Sequence, residues 1–587
     1  MKNINKLVLS IFSCTLLFQA CKKDNNTTNT TKGGGTDTTT TIIPPTEPAI
    51  ANTQGFFLDN WQAKTWVAPA SQTVAKPTSV GPVTITVDLS KEITKVSSYE
   101  YGNNANPFMG EISTVPALIS NITALAPNII RFPGGSLSDV YFWNQSSQAP
   151  ADVPSQLLDN NGLPSKTTGY WYGNNTSYNG TMTVDDYYST LQQTKSTGLI
   201  TVNYGYARYG TSANPVAAAA HLAADWVRYD KGRTKYWEVG NEIYGNWEAG
   251  YRIDPTLNKD GQPAIQDGTT YGTHFTIFAD SMRAAATEVG NTGIKIGIVI
   301  DGADDSNAGS NGQISNWNSK VFAAEGNSAD FFVVHNYYTP YQQNSSPDVI
   351  LGTPIPGTSQ MMSWIKSSAL LAGTTQKPVA MDEWNIFSTG SAQMVSSVAG
   401  VHAVMVLGEA LKNQISMASR WDLANGWSGG DDMGMFSNSA PNEDAEPNAP
   451  AWNPRPAFYY MYYFQNYIGD HLVSTTTNSS DIVSYGSSWS SGQAGVILVN
   501  KASGDHVVNV NFKNYAAGTK YYYYTLNGGT DNAPFSHKVH INGTGPTTGS
   551  GGPTNYATIA AKSANIQGGI TVTVPALGVV YLVADKK

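Results

Sequence analysis

The sequence predicts an α/β protein built on a (β/α)8 TIM barrel, with an accessory C-terminal antiparallel β-sandwich. Three observations lead to this prediction. Eight β-rich runs alternate with segments of helical periodicity over residues 97–455, and each run is apolar at its start and polar at its end. Residues 456–587 then change to short alternating strands between Gly, Asn and Ser turns. A chain of 587 residues is long enough for one large and one smaller domain.

The first residues have the pattern of an export signal. Lys2 and Lys6 precede an apolar run at residues 7–18, which is too short to span a bilayer and has the length of a signal-peptide core. The segment ends in LLFQAC, which resembles the lipobox of bacterial lipoproteins, where cleavage before the cysteine leaves it as the lipidated N-terminus. We therefore expect a signal peptide at residues 1–20 and a lipid anchor on Cys21. An ordinary secreted protein with an incidental cysteine is the alternative.

The stretch at residues 21–48 is predicted to be a flexible tether. It is rich in Lys, Asp, Asn, Thr and Gly and has almost no apolar side chain to bury. Its start, CKKDNN, resembles the charged stretch that some bacterial lipoproteins carry for export to the cell surface. We therefore expect an exported lipoprotein of the outer membrane, on its periplasmic or its surface side. Because Cys14 and Cys21 are the only two cysteines, the mature chain has no thiol pair for a disulfide or a zinc site.

The barrel is predicted from eight β-rich runs whose spacing leaves room for a helix between neighbours. The runs lie at residues 97–105, 128–136, 198–205, 235–243, 293–301, 330–338, 377–385 and 414–423. Segments between them, such as PVAAAAHLAADWVRY, repeat apolar residues at helical intervals. Eight such units suggest a closed barrel, whose active site lies at the C-terminal ends of the strands. A doubly wound open sheet is the alternative, but no dinucleotide-binding GxGxxG motif and no P-loop opens a helix.

Polar and aromatic residues gather at the ends of these runs. They are Arg131, Asn203, Asn241, Glu242, His335, Tyr337, Glu383 and Trp421. A structural protein has little reason to place this set on one rim, so we expect a functional site there. Glu242 and Glu383 end the fourth and seventh runs. Two such carboxylates are what glycoside hydrolysis requires, one to protonate the leaving oxygen and one to attack the anomeric carbon or activate water.

Three other acidic residues near these glutamates receive different interpretations. Asp382 precedes Glu383, and because adjacent strand residues face opposite sides, only one of the two is expected to point into the cleft. Glu238 is expected to be a partner that faces either the barrel interior or a helix, and Glu248 a loop carboxylate after the turn. Neither is expected to be essential in the way that Glu242 is.

The motifs around these residues resemble a known family. WEVGNE and DEWN look like the acid/base and nucleophile motifs of clan A retaining glycoside hydrolases. Together with RFPGGSLSDVYFWN they are most similar to family 51, whose usual activity is α-L-arabinofuranosidase, with some endo-β-glucanases. The resemblance covers about residues 97–425. It implies the fold already predicted, with the Asn-Glu pair ending strand 4 and the nucleophile ending strand 7.

The resemblance also implies roles for individual residues. Glu242 would be the acid/base and Glu383 the nucleophile of a double displacement, and Asn241 would hydrogen-bond the sugar 2-hydroxyl. Arg131 is expected to brace Glu383 and lower its pKa, whereas Glu242 is expected to hold a proton near neutral pH. The further candidates for substrate contacts are Tyr101, Asn103, His335, Tyr337, Trp384 and Trp421.

The predicted function is a retaining glycoside hydrolase for plant-type polysaccharides or oligosaccharides, in first place an α-L-arabinofuranosidase. The alternatives are an endo-β-glycanase, another clan A exo-glycosidase such as a β-xylosidase or β-glucuronidase, and a non-catalytic glycan-binding surface lipoprotein. A binding protein would have no reason to keep both Glu242 and Glu383. The loops at residues 162–186 and 420–436 depart from the family pattern, and this leaves the substrate open.

Other chemistries find little support in the sequence. The formal charge of -9 and the lack of long Lys/Arg runs argue against a nucleic-acid partner. The eight histidines have no HExxH or other paired ligand spacing, and no GxSxG motif occurs, so no metal and no cofactor are expected. The acidic run at residues 429–434 is expected to be a solvated loop, with calcium binding as the alternative.

The C-terminal region is predicted to be a packing domain. Its short alternating strands at residues 456–587 are typical of an antiparallel β-sandwich. Residues 49–96, which include the β-rich run at 80–90, are expected to add strands to it. A sugar-binding module is the alternative, but the four tyrosines at 521–524 cannot all face one side of a strand.

Overall fold

In a computed structural model of the chain, the structure describes residues 42–587, except 79–80, 166–168, 177–180, 306–311, 439–445 and 448. The predicted signal peptide, Cys21 and most of the predicted tether lie outside the described residues. In the part of the chain that is described, no helix is both long and apolar enough to cross a membrane.

Within the described residues, eight parallel strands close into a barrel. Their apolar runs are buried almost throughout, as expected for parallel strands that are covered by helices. The strands are β1 Gly102–Asn104, β2 Ile129–Phe132, β3 Thr197–Val202, β4 Tyr236–Val239, β5 Lys295–Val299, β6 Phe331–Tyr337, β7 Val379–Asn385 and β8 Met417–Arg420. Sequence neighbours pair with each other, and β8 pairs with β1. The predicted barrel is confirmed, and each strand overlaps one predicted run.

Eight longer helices of the described chain surround the barrel, one after each strand. They are α1 Pro116–Ala124, α2 Val184–Thr194, α3 Pro215–Asp230, α4 Gly268–Glu288, α5 Trp317–Glu325, α6 Pro354–Leu371, α7 Ser397–Lys412 and α8 Pro456–Tyr467. The start of α3 has a local cause in the sequence. Asn214 accepts a hydrogen bond from the backbone N–H of Ala217, and Pro215 has the fixed φ that suits a first helical residue.

The loops that follow the C-terminal ends of the strands carry short elements. They are the helices Gly205–Tyr209, Pro347–Gly352 and Ser391–Met394, the 3-10 turn Ser136–Val140, and two small sheets that pair Tyr141–Phe142 with Trp171–Tyr172 and Ala424–Asn425 with Phe436–Ser437. Because these loops follow β2, β3, β6, β7 and β8, they form the rim around the C-terminal mouth of the barrel.

The accessory domain is a mixed sheet of eleven strands, counted over the described residues. Ten strands follow one path: Ser71–Thr73, Ala561–Asn565, Ala517–Gly528, Gly578–Lys586, Ala494–Asn500, Ile482–Ser488, His471–Thr477, Val83–Lys95, His506–Lys513 and Ile570–Val574. Val539–Ile541 pairs with Ala517–Gly528. The strand Val83–Lys95 precedes the barrel in the chain but is part of the C-terminal sheet. Most pairs are antiparallel as predicted, but Val83–Lys95 runs parallel to His506–Lys513, and Ser71–Thr73 to Ala561–Asn565.

One side of this sheet packs on the barrel helices. Tyr485 donates a hydrogen bond to Glu409 of α7 at 3.0 Å. The rings of the four-tyrosine run alternate between the two sides of their strand, as period 2 requires. Tyr521 and Tyr523 lie in a core formed by the strands of the sheet itself, and Tyr522 and Tyr524 lie in the core shared with the barrel. The four rings are therefore used for packing on both sides.

Candidate active site

Strand β4 ends in a tight turn that carries Glu242. Gly240 and Glu242 both have left-handed backbone conformations, with φ of 80° and 44°. A residue with a Cβ adopts this conformation at a cost of about 1–2 kcal/mol, and such strain is concentrated at functional sites. Asp139 holds the turn, because its Oδ2 accepts a hydrogen bond from the backbone N–H of Asn241 at 3.1 Å. The backbone is thus shaped to present Glu242 rather than to continue the strand.

His335 of β6 lies between Glu242 and Glu383. Its Nδ1 is 3.0 Å from Glu242 Oε1 and 3.8 Å from Glu383 Oε2. Its Nε2 is 3.3 Å from Asp382 Oδ1. One ligand atom from each of Glu242, His335 and Glu383 lies within 4.8 Å of the other two. The structure therefore brings the two glutamates of the sequence prediction together at the C-terminal ends of β4 and β7.

Arg131 of β2 uses all five of its N–H donors. Its buried guanidinium donates to Glu238 at 2.8 and 3.2 Å, to Asn104 at 3.0 Å, to Glu383 at 2.9 Å and to Asn241 at 2.8 Å. The expected contact with Glu383 is present. Glu238 is fully buried in the barrel interior, as expected, and acts as the main counter-charge of Arg131.

Three aromatic side chains complete the hydrogen bonding of the two glutamates. Tyr244 Oη donates to Glu242 Oε1 at 3.2 Å, and Trp247 Nε1 donates to Glu242 Oε2 at 2.9 Å. Tyr337 Oη donates to Glu383 Oε1 at 2.8 Å. The Glu242 side chain is 16% exposed, and this leaves it accessible to a substrate in the cleft.

The pKa shifts of the two glutamates have the opposite directions from those expected. Burial raises the pKa of Glu242, but hydrogen bonds from His335, Trp247 and Tyr244 outweigh burial, and the net pKa is lowered. Burial also raises the pKa of Glu383, and the negative charge of Glu242 adds to this effect. The charges of His335 and Arg131 do not compensate, so the net pKa of Glu383 is raised. The predicted directions are therefore wrong.

The pKa of His335 is raised, so its imidazole is protonated between the two glutamates. Burial alone would lower the pKa of His335, but the charge of Glu383 and hydrogen bonds to Asp382 and Glu242 raise it well above 6.5. A protonated imidazole is therefore paired with three carboxylates. Its proton on Nδ1 lies within hydrogen-bonding distance of Glu242, at 3.0 Å between the heavy atoms.

The amide of Asn241 is held at both ends. Its Oδ1 accepts from Arg131 at 2.8 Å, and its Nδ2 donates to Glu248 Oε1 at 3.0 Å. Glu248 is buried and also accepts from Ser136 Oγ at 2.7 Å. Burial, and then the charge of Asp139, raise the pKa of Glu248 well above its ordinary value. Glu248 is a loop carboxylate after the turn, as predicted, and the loop folds it back against the amide of Asn241.

Two aromatic candidates for substrate contacts do not reach the site. Tyr101 precedes β1, and its buried ring packs against Phe464 of α8 with the ring centres 6.2 Å apart. It lies at the end of the strand away from the site. Trp384 follows Glu383 in β7 and is fully buried. The predicted substrate contacts of Tyr101 and Trp384 are wrong, since neither ring opens onto the cleft.

The direction of side chains along β1 and β7 decides which of the neighbouring residues reach Arg131. Asn104, not Asn103, turns its side chain into the barrel and bonds to Arg131, so the predicted substrate contact of Asn103 is displaced by one residue. In β7, Asp382 and Glu383 both reach Arg131, at 3.4 and 2.9 Å. The register of β7 against β8 shifts at these residues, and this irregularity lets both carboxylates face inward. The Asp382 side chain is fully buried and only that of Glu383 is partly exposed, at 7%, which agrees with the expectation that one of the two points into the cleft.

Trp421 lies at the rim of the barrel mouth. Its partly exposed ring packs so closely on Gly135 that a Cβ on Gly135 would lie 2.4 Å from the ring.

The acidic run at residues 429–434 is partly buried. Asp431 is exposed, but Asp432 is buried and accepts two hydrogen bonds from Arg455, at 2.6 and 2.7 Å. The predicted solvated loop is therefore wrong at Asp432.

Several residues of the site were not singled out from the sequence. They are Asn104, Ser136, Asp139, Tyr244 and Trp247. Ser136 and Asp139 lie inside the motif RFPGGSLSDVYFWN, and Tyr244 and Trp247 lie within five residues after the motif WEVGNE. The loop residues among them have no strand periodicity, so the sequence does not say which side chains turn toward the glutamates.

Two overlapping groups in the site have ligand types suited to a metal ion. They are Glu238, His335 and Asp382, and Glu242, His335 and Glu383, each with ligand atoms within 4.8 Å of one another. His335 belongs to both groups and would have to lose its raised-pKa proton to bind a cation. The positive charge of Arg131 lies beside both groups and would repel a cation. The geometry therefore fits a network of ion pairs.

Comparison with known proteins agrees with the motifs. Residues 121–346 match the family model of the α-L-arabinofuranosidase 1 domain. No curated protein sequence matches the chain. The structure is similar to that of an α-L-arabinofuranosidase from Thermotoga maritima, with a TM-score of 0.58 and 15% identity over 86% of this chain and 100% of that chain.

Other solved structures extend this likeness of fold. A family 51 α-L-arabinofuranosidase from Bifidobacterium longum has a TM-score of 0.58 and 13% identity, covering 86% of this chain and 100% of that chain. A family 44 xyloglucanase from Paenibacillus polymyxa has a TM-score of 0.53 and 14% identity, covering 86% of this chain and 99% of that chain. These matches show that the chain shares the fold of these proteins. In its motifs, in the family model it matches and in its fold, the chain resembles the clan A glycoside hydrolases and is most like the family 51 α-L-arabinofuranosidases.

Proposed function

We propose that the protein is a retaining α-L-arabinofuranosidase that acts on plant-type polysaccharides or oligosaccharides through Glu242 and Glu383. The observation that carries the proposal is the close approach of these two carboxylates, whose nearest oxygens lie within 4.8 Å of each other. Retaining enzymes place their carboxyl groups about 5–5.5 Å apart, whereas inverting enzymes need about 6.5–9.5 Å to admit a water. The short separation supports direct attack by one carboxylate.

The reaction would proceed in two displacements. A carboxylate oxygen of Glu383 forms a bond to the anomeric carbon while the bond to the leaving oxygen breaks, and Glu242 gives its proton to that oxygen. In the second step Glu242 takes a proton from water, the water oxygen attacks the anomeric carbon, and the bond to Glu383 breaks. Two inversions at one carbon retain its configuration.

Before the reaction the proton is on His335. We assign to His335 the role of donating this proton to Glu242. The lowered pKa of Glu242 favours its ionised form, so Glu242 has to gain a proton before it can act as an acid. The protonated His335 lies 3.0 Å from Glu242 Oε1, close enough to transfer this proton directly. When the substrate covers the site and its oxygen approaches Glu242, the loss of water favours the neutral acid.

The experiment that tests the function is a substrate panel combined with NMR of the product. Aryl glycosides of arabinofuranose, xylose, glucose and glucuronic acid are offered together with arabinan, arabinoxylan and β-glucans. We expect release of arabinose from the aryl arabinofuranoside, with retained anomeric configuration. A product of inverted configuration would contradict the role of Glu383, and turnover of only the other sugars would contradict the arabinofuranosidase assignment.

An endo-β-glycanase is the second candidate, and it is favoured by the likeness to the Paenibacillus polymyxa xyloglucanase, with a TM-score of 0.53. The same carboxylate pair would serve such an enzyme. Product length separates the two candidates, since an exo enzyme releases only monosaccharide whereas an endo enzyme shortens polymers into oligosaccharides. A β-xylosidase or a β-glucuronidase would be recognised on the aryl glycosides of the same panel.

We also propose that the protein is an exported lipoprotein, anchored in the outer membrane through Cys21. The support is the sequence pattern at residues 1–21, which combines a basic start, an apolar run and a cysteine at the expected cleavage site. A polysaccharide substrate is too large to enter a cell, so an exported enzyme fits the proposed substrate.

A further inference from the structure

A loop of the accessory domain, at residues 529–538, lies against the rim of the barrel mouth. The carbonyl oxygen of Ser536 accepts a hydrogen bond from the backbone N–H of Ser397, at the start of α7, at 2.7 Å. His537 Nε2 lies 2.8 Å from the carbonyl oxygen of Ala392, in the loop between β7 and α7. The accessory domain therefore contacts the segment that follows β7, the strand of the proposed nucleophile.

The second ring nitrogen of His537 begins a chain of contacts that reaches the loop after β8. Nδ1 lies 2.8 Å from Oε1 of Glu446, and Oε2 of Glu446 accepts a hydrogen bond from Arg455 at 3.1 Å. Arg455 also donates to both carboxylate oxygens of Asp432, at 2.6 and 2.7 Å, and to the carbonyl of Gly434 at 3.1 Å. Glu446, Arg455 and Asp432 are buried. One histidine of the accessory domain is therefore connected to the loops after two neighbouring barrel strands.

Both partners of His537 are hydrogen-bond acceptors. The backbone carbonyl of Ala392 has no hydrogen to donate, and Glu446 is held in its ionised form. Burial raises the pKa of Glu446, but hydrogen bonds from His537 and Arg455 and the charges of both outweigh burial, and the net pKa is lowered. A neutral imidazole has one N–H group, whereas a protonated imidazole has two. Only protonated His537 can therefore donate to Ala392 and Glu446 at the same time.

The groups packed around His537 act on its charge in opposite directions. Burial lowers the pKa of His537 and the charge of Arg455 adds to this effect, but Glu446 and the backbone carbonyl outweigh both, and the net pKa is raised. The loop after β8 faces the imidazole with the uncharged ring of Trp427, at 5.9 Å between ring centres. The other charged residues of the 529–538 loop are Asp531 and Lys538. Because the folded protein raises this pKa, the link through His537 is present at low pH and is lost as the pH rises through the raised value.

We propose that His537 is a positioning residue, through which the accessory domain fixes the loops after β7 and β8 at the mouth of the active site. A fixed loop binds a ligand at a lower entropic cost than a loop that first has to be ordered. Loss of the link should therefore weaken substrate binding more than it slows the chemical step. This role of the accessory domain goes beyond the proposed function, and only the kinetic part of the test rests on that function.

The test compares hydrogen exchange of the unsubstituted protein with that of His537→Gln, at about pH 5.5 and at about pH 9, on either side of the ordinary histidine range. Glutamine keeps one side-chain donor group and stays uncharged, so it resembles the neutral imidazole. At the lower pH the variant should lose about tenfold in protection at residues 386–396 and 421–437, the size of one hydrogen bond to a charged group. At the higher pH the two proteins should exchange alike, because His537 has then lost its proton.

Two further variants complete the test. His506→Gln is the matched control, because His506 is an accessory-domain histidine whose carboxylate partner, Asp481 at 3.3 Å, lies in the same domain. It should leave the exchange of both loops unchanged. Glu446→Gln removes the charge that raises the pKa of His537, so NMR of the histidine ring should show His537 losing its proton at lower pH. On the aryl arabinofuranoside, His537→Gln should raise KM by up to about tenfold and leave kcat nearly unchanged.

An exchange difference of the same size at both pH values would overturn the inference, because a purely structural role does not depend on a proton. Identical exchange of His537→Gln and His506→Gln would also overturn it, as would a kcat that falls as strongly as KM rises. If the loops depend on His537 and on pH but the protein hydrolyses no glycoside, the positioning role is supported and the enzymatic proposal fails. If the protein is an active glycosidase and His537→Gln exchanges like the unsubstituted protein at both pH values, the positioning role fails and the function is supported.

Discussion

At the scale of single residues, Glu242 and Glu383 have different surroundings and should respond differently to truncation. Glu383→Ala removes the carboxylate that we propose attacks the anomeric carbon, so turnover should be lost on every substrate. Glu242→Ala should spare aryl glycosides whose leaving group needs no proton, whereas natural polymers should lose about 10²–10⁴-fold. Initial rates on both substrate types measure this difference.

Azide provides the control for this first prediction. In Glu242→Ala, azide should attack the glycosyl-enzyme, because the carboxylate that repels it is gone, and a glycosyl azide of retained configuration should accumulate. In Glu383→Ala that product should not form. Rescue of Glu238→Ala or Glu248→Ala by azide, without rescue of Glu242→Ala, would contradict the assignment of the acid/base.

The pH dependence of the reaction is a second prediction at this scale. Glu383 has to be ionised to attack, and its pKa is raised, so activity should be lost as the pH falls through a value above 4.5. The proton on His335 is lost as the pH rises through its raised pKa, so the basic limb of kcat/KM should lie above 6.5. A bell-shaped profile with both limbs displaced upward is the expected result.

Replacement of His335 should move the basic limb. His335→Asn removes the proton donor and the main partner that lowers the pKa of Glu242, so Glu242 has to hold the proton itself and the limb should shift to lower pH. His221→Asn is the control, because His221 is largely exposed on α3. A basic limb that does not move in His335→Asn would show that His335 does not supply the proton.

Glu248 permits a third prediction, concerning the orientation of Asn241. Glu248→Met removes the acceptor of Asn241 Nδ2, and kcat/KM should fall about tenfold, the value of one buried hydrogen bond. Glu248→Gln keeps an acceptor and should stay near the original rate. The loss should be absent on a 2-deoxy glycoside, because Asn241 is predicted to hydrogen-bond the 2-hydroxyl. An equal loss on both glycosides would mean that Glu248 serves only stability.

At the scale of the elements, the position of Glu242, and with it kcat, should depend on the backbone conformation of the turn after β4. In Gly240→Ala the new Cβ would lie 2.7 Å from the side chain of Ile243 and 2.8 Å from that of Tyr204, in addition to the cost of φ 80°. Moving the turn displaces Glu242, and a misplacement of about 1 Å can cost about 100-fold in rate. Thermal unfolding and kcat together measure the effect.

Gly290→Ala is the matched control for this turn. Gly290 has φ of 72° but no heavy atom within 4 Å of the new Cβ, so only the left-handed conformation is penalised. We expect a small loss of stability of about 1–2 kcal/mol and an unchanged kcat. If the two variants behaved alike in kcat, the close packing around Gly240 would not be what positions Glu242.

At the scale of the whole molecule, the location of the protein should depend on one cysteine. Acyl chains contribute about 0.8 kcal/mol per buried CH2 group to membrane binding, so their loss should release the protein. Cys21→Ala should move the protein from the membrane to the soluble fraction and abolish labelling with palmitate. Cys14→Ala, within the apolar run, should leave both unchanged. Membrane association that persists in Cys21→Ala would contradict the lipid anchor.

The sequence alone determined the order and position of the main elements, because apolar periodicity is a local property of the chain. All eight barrel strands overlap runs that were predicted from period and polarity, and Glu242 and Glu383 were recognised because each ends one of these runs. Val83–Lys95 was likewise identified as β-rich, and the structure pairs it with the C-terminal sheet.

Which neighbouring side chains face the site, and what charge they carry, depends on contacts that exist only in the folded protein. A shift of register lets Asp382 and Glu383 both reach Arg131, and a folded turn places Glu248 beneath Asn241. The pKa directions were reversed because they depend on burial and on partners from β4, β6 and β7 at once. Such contacts join residues far apart in the chain, so no local pattern specifies them.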